Sequence, residues 1–314
     1  MKQILLISHI KVHNANALSS PYTIGFPAMT AWMGAVHALQ RKLNQAGFDS
    51  VIFNSVAVVC HGIDLQTYRG NGDFVNSIIG TGNPLVPDNK AKKDKWNSPF
   101  TRPAFIEEGR CHLDVSLVVE YQGLAKKDED EAMAEITTLL YARMKMAGGD
   151  ILNVGQLEFF KIDDNNDLRR LTRKMMPGHV LIERRELMET AMTQGRDAID
   201  ALLDHLKVMH RSEKDEDGNV SWNSKRKTPG WIVPVATGFH GITELGQAKN
   251  QRDTDTPHRF AESVVTLGEF VMPYRINDLD DMLWHYHTDI ENNLYLCQQN
   301  NRKTNQVKLT CTEE

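Results

Sequence analysis

The chain has 314 residues, 41% of them hydrophobic and 25% charged, with a net charge of −5. That is enough chain for one large domain or two smaller ones with a substantial core, and the balance is that of an ordinary water-soluble protein. No apolar run approaches the ~20 residues that cross a bilayer, so membrane partners are excluded, and a start without a signal-peptide pattern predicts a cytoplasmic protein. In chain order, ILLISHIKV (Ile4 to Val12) predicts a strand and MTAWMGAVHALQRKL (Met29 to Leu43) a helix. Between them HNANALSSPYTIGFP carries no formal charge. It exceeds the about two to six residues usual for such a connection. Leu18, Tyr22, Ile24 and Phe26 give it something to bury, while Asn14, Asn16, Ser19 and Ser20 offer neutral donors and acceptors. Those groups suit bases and phosphates, and equally a packed loop.

Extended structure is expected over Asp49 to Tyr68, followed by a Gly-, Pro-, Asn- and Lys-rich insertion over about 69–104. In EEGRCHLDVSLVVEYQG, Cys111, Leu113, Val115, Leu117 and Val119 alternate as one face of a strand. Lys127 to Met146 has helical spacing, MAGGDIL follows with the pair Gly148 and Gly149, and VGQLEFFKI is again extended. The glycines read as a helix C-cap or as a close approach to a ligand. This strand–helix–strand–strand–helix–strand order predicts an α+β fold, a ferredoxin-like or RNA-recognition-motif-like antiparallel sheet with both helices on one face and the other face free. It assigns residues 1–165 to this core and 166–314 to a looser C-terminal α+β half. There His179 to Arg185 is a strand, Glu186 to His210 a helix and Gly230 to Ile242 a strand. Asp215 to Pro229 reads as an exposed connection, Phe260 to Val271 and Asp278 to His287 as closing helices, and about 300–314 as a disordered tail.

Charge is segregated. No Asp or Glu precedes Asp49, and basic clusters occur at Lys90 to Lys95, Arg169 to Lys174 and Lys225 to Lys227. Segregation of this kind builds a positive groove on a negative protein, although each run also suits a solvated face. The scattered Cys60, Cys111, Cys297 and Cys311 read as reduced structural thiols. P-loop, dinucleotide, nucleophile-elbow and zinc-protease motifs are absent. His285 and His287, two apart on an expected helix, do not share a face for metal binding. His37, His61 and His112 are candidate acid–base groups, with His37 also explained as a partly buried helix residue and Trp231 as core.

Several stretches, in order, carry a family likeness: NANALSSPYTIGFP with VHALQR, VCH, EEGRCHLDVSLVV, MAGGDIL, RRLTRKMMPG, PGWIVPV and TPHRF. From Leu5 to about His287 the chain resembles the RAMP-superfamily subunit of the type I-F CRISPR (Csy) surveillance complex that binds the 5′ handle of the crRNA. The resemblance implies an RNA-binding subunit without catalysis or cofactor. It pairs with the large subunit that reads the protospacer-adjacent motif, contacts an adjacent backbone subunit, and meets target DNA only indirectly. The insertion then corresponds to the family's thumb-like arm. His9 stands where the family leads us to expect arginine, with Lys11 as a substitute phosphate contact. Expected RNA contacts are Lys11, Asn14, Asn16, Ser19, Ser20, Arg41, Arg110, Gly148, Gly149, Arg169, Arg170, Arg173, Arg252 and Arg259. For Ser19 and Ser20 the alternative is helix capping, and Tyr22 is a candidate base-stacking residue. The competing function is a metal-independent endoribonuclease on the same fold.

Overall fold

The computed structural model describes residues 1–80, 85–87, 100–101, 108–215 and 217–300. Parts of the expected arm (81–84, 88–99 and 102–104), the Lys90 to Lys95 cluster and tail residues 301–314 lie outside these. The main elements are β1 (Lys2–Asn16), α1 (Met29–Gln45), β2 (Ile52–Leu65), β3 (Arg110–Gln122), α2 (Glu129–Arg143), β4 (Lys145–Met146), β5 (Gly149–Asn153) and β6 (Leu157–Ile162). They continue with α3 (Asn165–Lys174), β7 (His179–Glu183), α4 (Arg185–Thr193), α5 (Ala198–Leu206), β8 (Val208–Lys214), β9 (Val220–Arg226), β10 (Trp231–Gly241), β11 (Ala261–Val271), β12 (Trp284–Asp289) and β13 (Leu294–Gln299). The protein is therefore mixed α+β, with five α-helices among the described residues and one large antiparallel sheet.

The long strands lie in the order β4-β5-β1-β3-β2-β7-β11-β10-β13-β12, with β6 on the same edge of β1 as β5. In the first half, the strand after the second helix lies beside the first, then come the third and the second. Trp284 of β12 also pairs with Val56 of β2, so pairings run from β2 through the C-terminal strands and back to β2. The C-terminal half thus continues the first sheet.

Alternation explains the layers. Cys111, Leu113, Val115, Leu117 and Val119 of β3 face one side as expected and pack with Leu5, Ile7, Val56 and Val58 beneath both helices. There α1 contributes Trp32, Val36, Leu39 and Leu43, and α2 contributes Ile136, Leu139 and Leu140. A helix-period stripe meeting a strand-period face is what both patterns predict.

The opposite face is not free, contrary to expectation. Ile4, Leu6, Ala57, Val59 and Val118 are buried under Leu168 and Leu171 of α3, Met175 just after it, and Ile276, Leu279, Met282 and Leu283. Apolar residues on the second face of β1–β3 need a cover, and α3 supplies it. Its N-cap Asp164 accepts backbone N–H bonds from Asn166 and Asp167.

Further differences have local causes. Gly148 and Gly149 do not cap α2, which ends at Arg143. Ala147 (φ +48°) and Gly148 (φ +79°) form the turn between Met146 and Gly149, a two-residue hairpin that needs left-handed backbone at both positions. Of the expected closing helices, Phe260 to Val271 is strand β11, and Asp278 to His287 is one 3-10 turn (Leu279–Asp281) followed by strand β12. The Glu186 to His210 helix divides at Gly195 (φ +86°) into α4 and α5, and Val208 begins a strand. Residues 217–227 are exposed as expected, but Val220–Arg226 forms β9. His37 is exposed rather than partly buried. Trp231 is 46% exposed rather than core, set against His179 and Phe270. Cys60, Cys111 and Cys297 are free and buried, and burial pushes their thiols up to about 11, 12 and 12.

Candidate nucleic-acid interface

The uncharged loop after β1 is ordered by its own chemistry. Leu18–Ser20 pairs with Thr23–Ile24 in a small hairpin, and the hydroxyls of Ser19 and Ser20 meet that of Thr23 at 2.9 and 2.6 Å. Neither serine caps α1, whose N-cap is Ala28 without a side-chain bond. Phe26 is buried, stacked on Trp32 and edge-on to Phe270, so the loop ties the two halves together. Tyr22 is exposed, and its hydroxyl donates to the Ser263 carbonyl at 3.4 Å. Asn16 is half-buried, and its Oδ1 accepts the Leu18 N–H at 2.9 Å, which shapes the loop.

Asn14 is exposed in the left-handed region (φ +56°), a conformation asparagine tolerates better than most residues. Its backbone N–H donates to His112 Nδ1 at 3.1 Å, and His112 stacks on His13 at 4.3 Å between centroids. Arg110 pairs with Asn16 across the two strands, and its side chain is held by Glu108 at 2.7 Å and donates to the Asn14 carbonyl at 3.4 Å. Asn14, Arg110 and Gly148 line an open pocket of about 390 Å³, completed by Gln66, Ile79, Gly80 and Asp150. The Asp150 carboxylate is held below its ordinary range by its hydrogen bond and charge pairing with Lys145, at 2.7 Å across the turn. Gly149 is buried beside the pocket. A Cβ there would lie 2.6 Å from the His13 carbonyl and 2.7 Å from the Ala15 nitrogen, so only glycine lets this hairpin lie against β1.

Beyond the pocket, the uncovered half of the sheet face is polar. His9 (φ +48°), at an irregularity in the pairing of β1 with β3, reaches Asp114 at 3.0 Å and stacks on His61 at 4.1 Å. The His9 N–H donates to Ser116 Oγ, which stands 2.7 Å from His61 Nε2, while His61 Nδ1 stands 2.5 Å from the Pro177 carbonyl. That chain is satisfied by one neutral tautomer, with Nδ1 donating and Nε2 accepting. Burial, opposed by the Pro177 bond, holds the His61 pKa below its ordinary value.

Other expected contacts are dispersed. Lys11 is exposed on β1, on the strand that carries Asn14. Arg41 is exposed on α1, which packs on the opposite side of the sheet. Arg169, Arg170 and Arg173 are exposed on α3, with Asp167 3.7 Å from Arg170. Arg252 is exposed in the loop before β11, and Arg259 is half-buried, donating to Asn293 Oδ1 at 2.6 Å. Sequence reasoning missed Gln66, Ile79, Gly80 and Asp150, which reach the pocket only through pairing between distant segments. Among the described residues, no group of three or more His, Cys, Asp or Glu side chains is placed to hold a metal ion. No described helix is long and apolar enough to cross a membrane.

These features define an α+β protein whose long sheet presents a polar half-face ending in a pocket of amide, guanidinium and glycine groups. The family model for CRISPR-associated protein (Cas_Csy2) matches residues 5–297, and the chain belongs to that family. It is 33% identical to CRISPR-associated protein Csy2 of Pseudomonas aeruginosa (strain UCBPP-PA14) over 320 aligned positions, covering 93% of this chain and 94% of the relative.

Proposed function

We propose that this chain is the non-catalytic, RNA-binding subunit of a type I-F CRISPR–Cas (Csy) complex, acting in antiviral defence by holding the 5′ handle of the crRNA. The observation that carries this reading is convergence. Asn14, Arg110 and Gly148, drawn from three separate segments, line one open pocket. A single-stranded handle is held by hydrogen bonds to base edges and by cations and N–H groups on phosphates. The Asn14 carboxamide offers both donor and acceptor, the Arg110 guanidinium offers a charged fork, and the bare Gly148 leaves room for a backbone.

In this reading residues 1–165 form a ferredoxin-like, RNA-recognition-type core, and residues 166–314 cover half of its sheet. The thumb-like arm over about 69–104 and the exposed arginines meet the spacer, the large subunit and the backbone subunit. Target DNA is met only through the guide, in the cytoplasm. The non-catalytic reading is supported by the histidines. His61 has both ring nitrogens within bonding distance of protein groups, and His112 Nδ1 accepts the Asn14 N–H. Two assays test the proposal. Purification from cells expressing the CRISPR array is expected to yield the chain with partner subunits and a short RNA of defined 5′ end. Incubation with labelled repeat RNA in EDTA is expected to leave that RNA intact. Cleavage abolished by a single histidine substitution establishes the endoribonuclease instead, and purification without RNA contradicts the handle assignment.

A further inference from the structure

The β8–β9 hairpin stands apart from the pocket, and the proposed function does not use it. Every residue of both strands is exposed, yet the register is regular from Val208↔Arg226 to Lys214↔Val220. Seven residues at about 3.3 Å each make a ribbon about 20 Å long. A two-stranded ribbon is marginally stable alone, and here its base is clamped. Lys207 and Lys227, which flank the two strands, both reach the buried Asp204 at 2.5 and 3.4 Å. His205 Nδ1 lies 2.6 Å from Thr228 Oγ1.

We propose that this ribbon is a second RNA contact, a platform on which Trp222 stacks a base of single-stranded RNA while flanking cations hold the phosphates. The proposal rests on the RNA-binding reading above. Trp222 is 70% exposed, a large apolar surface to leave in water. Residues directly opposite share a face, so Trp222 lies with Ser212 across from it and His210 and Lys214 on the diagonals, and Arg226 further along the same face. His210 Nδ1 is held 2.8 Å from Ser224 Oγ. An aromatic ring between cations is the arrangement that binds single strands without sequence preference. The Ser212 hydroxyl beside it suits a 2′-hydroxyl, which favours RNA over DNA.

Charge points the same way. The strands carry Arg211, Lys214, Lys225 and Arg226 against one carboxylate, Glu213, in a chain whose net charge is −5. Among the described residues none of these four cations is in an ion pair, whereas the flanking Lys207 and Lys227 both pair with Asp204. At this hairpin the cations without an ion pair are thus those on the strands themselves.

The test uses the full-length chain as it purifies, a labelled mixed-sequence oligoribonucleotide, its DNA counterpart, and anisotropy across a salt series. Trp222→Ala is expected to weaken RNA binding about tenfold. Lys214→Gln with Arg226→Gln is expected to lower the salt slope by about 1.4. Photocrosslinked RNA is expected on the peptide carrying Trp222. All three positions are exposed, so melting temperature should not move. Unchanged affinity and slope, while Asn14→Gly with Arg110→Gln weakens binding, overturns the ribbon alone. If neither set of variants changes binding, the RNA-binding reading itself falls, and the ribbon with it. Loss of accompanying protein subunits with RNA affinity intact makes the ribbon a protein-docking surface and overturns the proposal. DNA bound as tightly as RNA overturns the choice of RNA.

Discussion

The second face of β1, β3 and β2 has two halves that share strands and differ in everything else. In one, Ile4, Leu6, Val118, Ala57 and Val59 are buried beneath α3 and residues 276–283. In the other, two positions further on, Ser116 follows Val118 and His61 follows Val59. There His9, His61 and Asp114 remain partly exposed, with the pocket beyond them. Period-two alternation sends Val118, Ser116 and Asp114, and likewise Val59 and His61, to the same face, while the irregularity at His9 brings its ring there beside His61. What changes is residue type, and with it the requirement for a cover: an apolar half must be packed, while a polar half can stay open to a ligand. The sheet therefore uses one face both as core and as the proposed site.

Breaking the covered half should produce the largest effect. Leu171 is fully buried at the centre of the α3 contact. Leu171→Ala is expected to cost about 2–5 kcal/mol in urea unfolding, with RNA affinity of the folded fraction unchanged. An affinity loss as large as the stability loss would mean the halves are coupled.

The border between the halves is sharpened by pH. His61 is held neutral by burial, so its folded pKa lies below the unfolded value of 6.5. The unfolded chain then binds more protons as pH falls. The contribution is fully present above 6.5 and is lost as pH drops through the lowered folded value. His61→Gln should flatten that part of the stability–pH curve measured by thermal melts. An unchanged acid-side slope would show that His61 does not titrate with unfolding.

The smallest effect is expected from the outer surface of the cover. Replacing Arg169, Arg170 and Arg173 with alanine is expected to lower the salt slope of RNA binding by about 2 if the strand crosses α3. An unaltered slope assigns the cluster to a protein interface or to solvent.

The legible parts were those governed by local pattern. The β3 alternation from Cys111 to Val119 placed its residues correctly, and the apolar stripes of α1 and α2 did the same. In Phe260 to Val271, apolar residues fit helical spacing about as well as a strand, and long-range pairing with β7 and β10 decides for the strand. Gly268 fits that pairing, since a Cβ there would lie 2.6 Å from Val235 Cγ2. The cover over the second face was hidden because α3, read only as a basic cluster, conceals Leu168 and Leu171 among its arginines. At the pocket, the amide-rich loop flagged Asn14, whereas Gln66, Ile79 and Asp150 carry no motif and are assembled only by folding.

The proposed grip on the RNA rests on the pocket formed by Asn14, Arg110 and Gly148. Its most direct test is the affinity of labelled 5′-handle RNA for the purified chain carrying Asn14→Gly and Arg110→Gln. Glycine keeps the left-handed backbone of position 14, so only the side chains are removed. Binding at least about tenfold weaker is expected, as for loss of a charge-assisted hydrogen bond, in a variant that stays folded: the Arg110–Glu108 pair that is lost is worth about 0–1 kcal/mol, so the melting temperature falls by about a few degrees at most. Wild-type affinity in this folded variant would contradict the proposed grip.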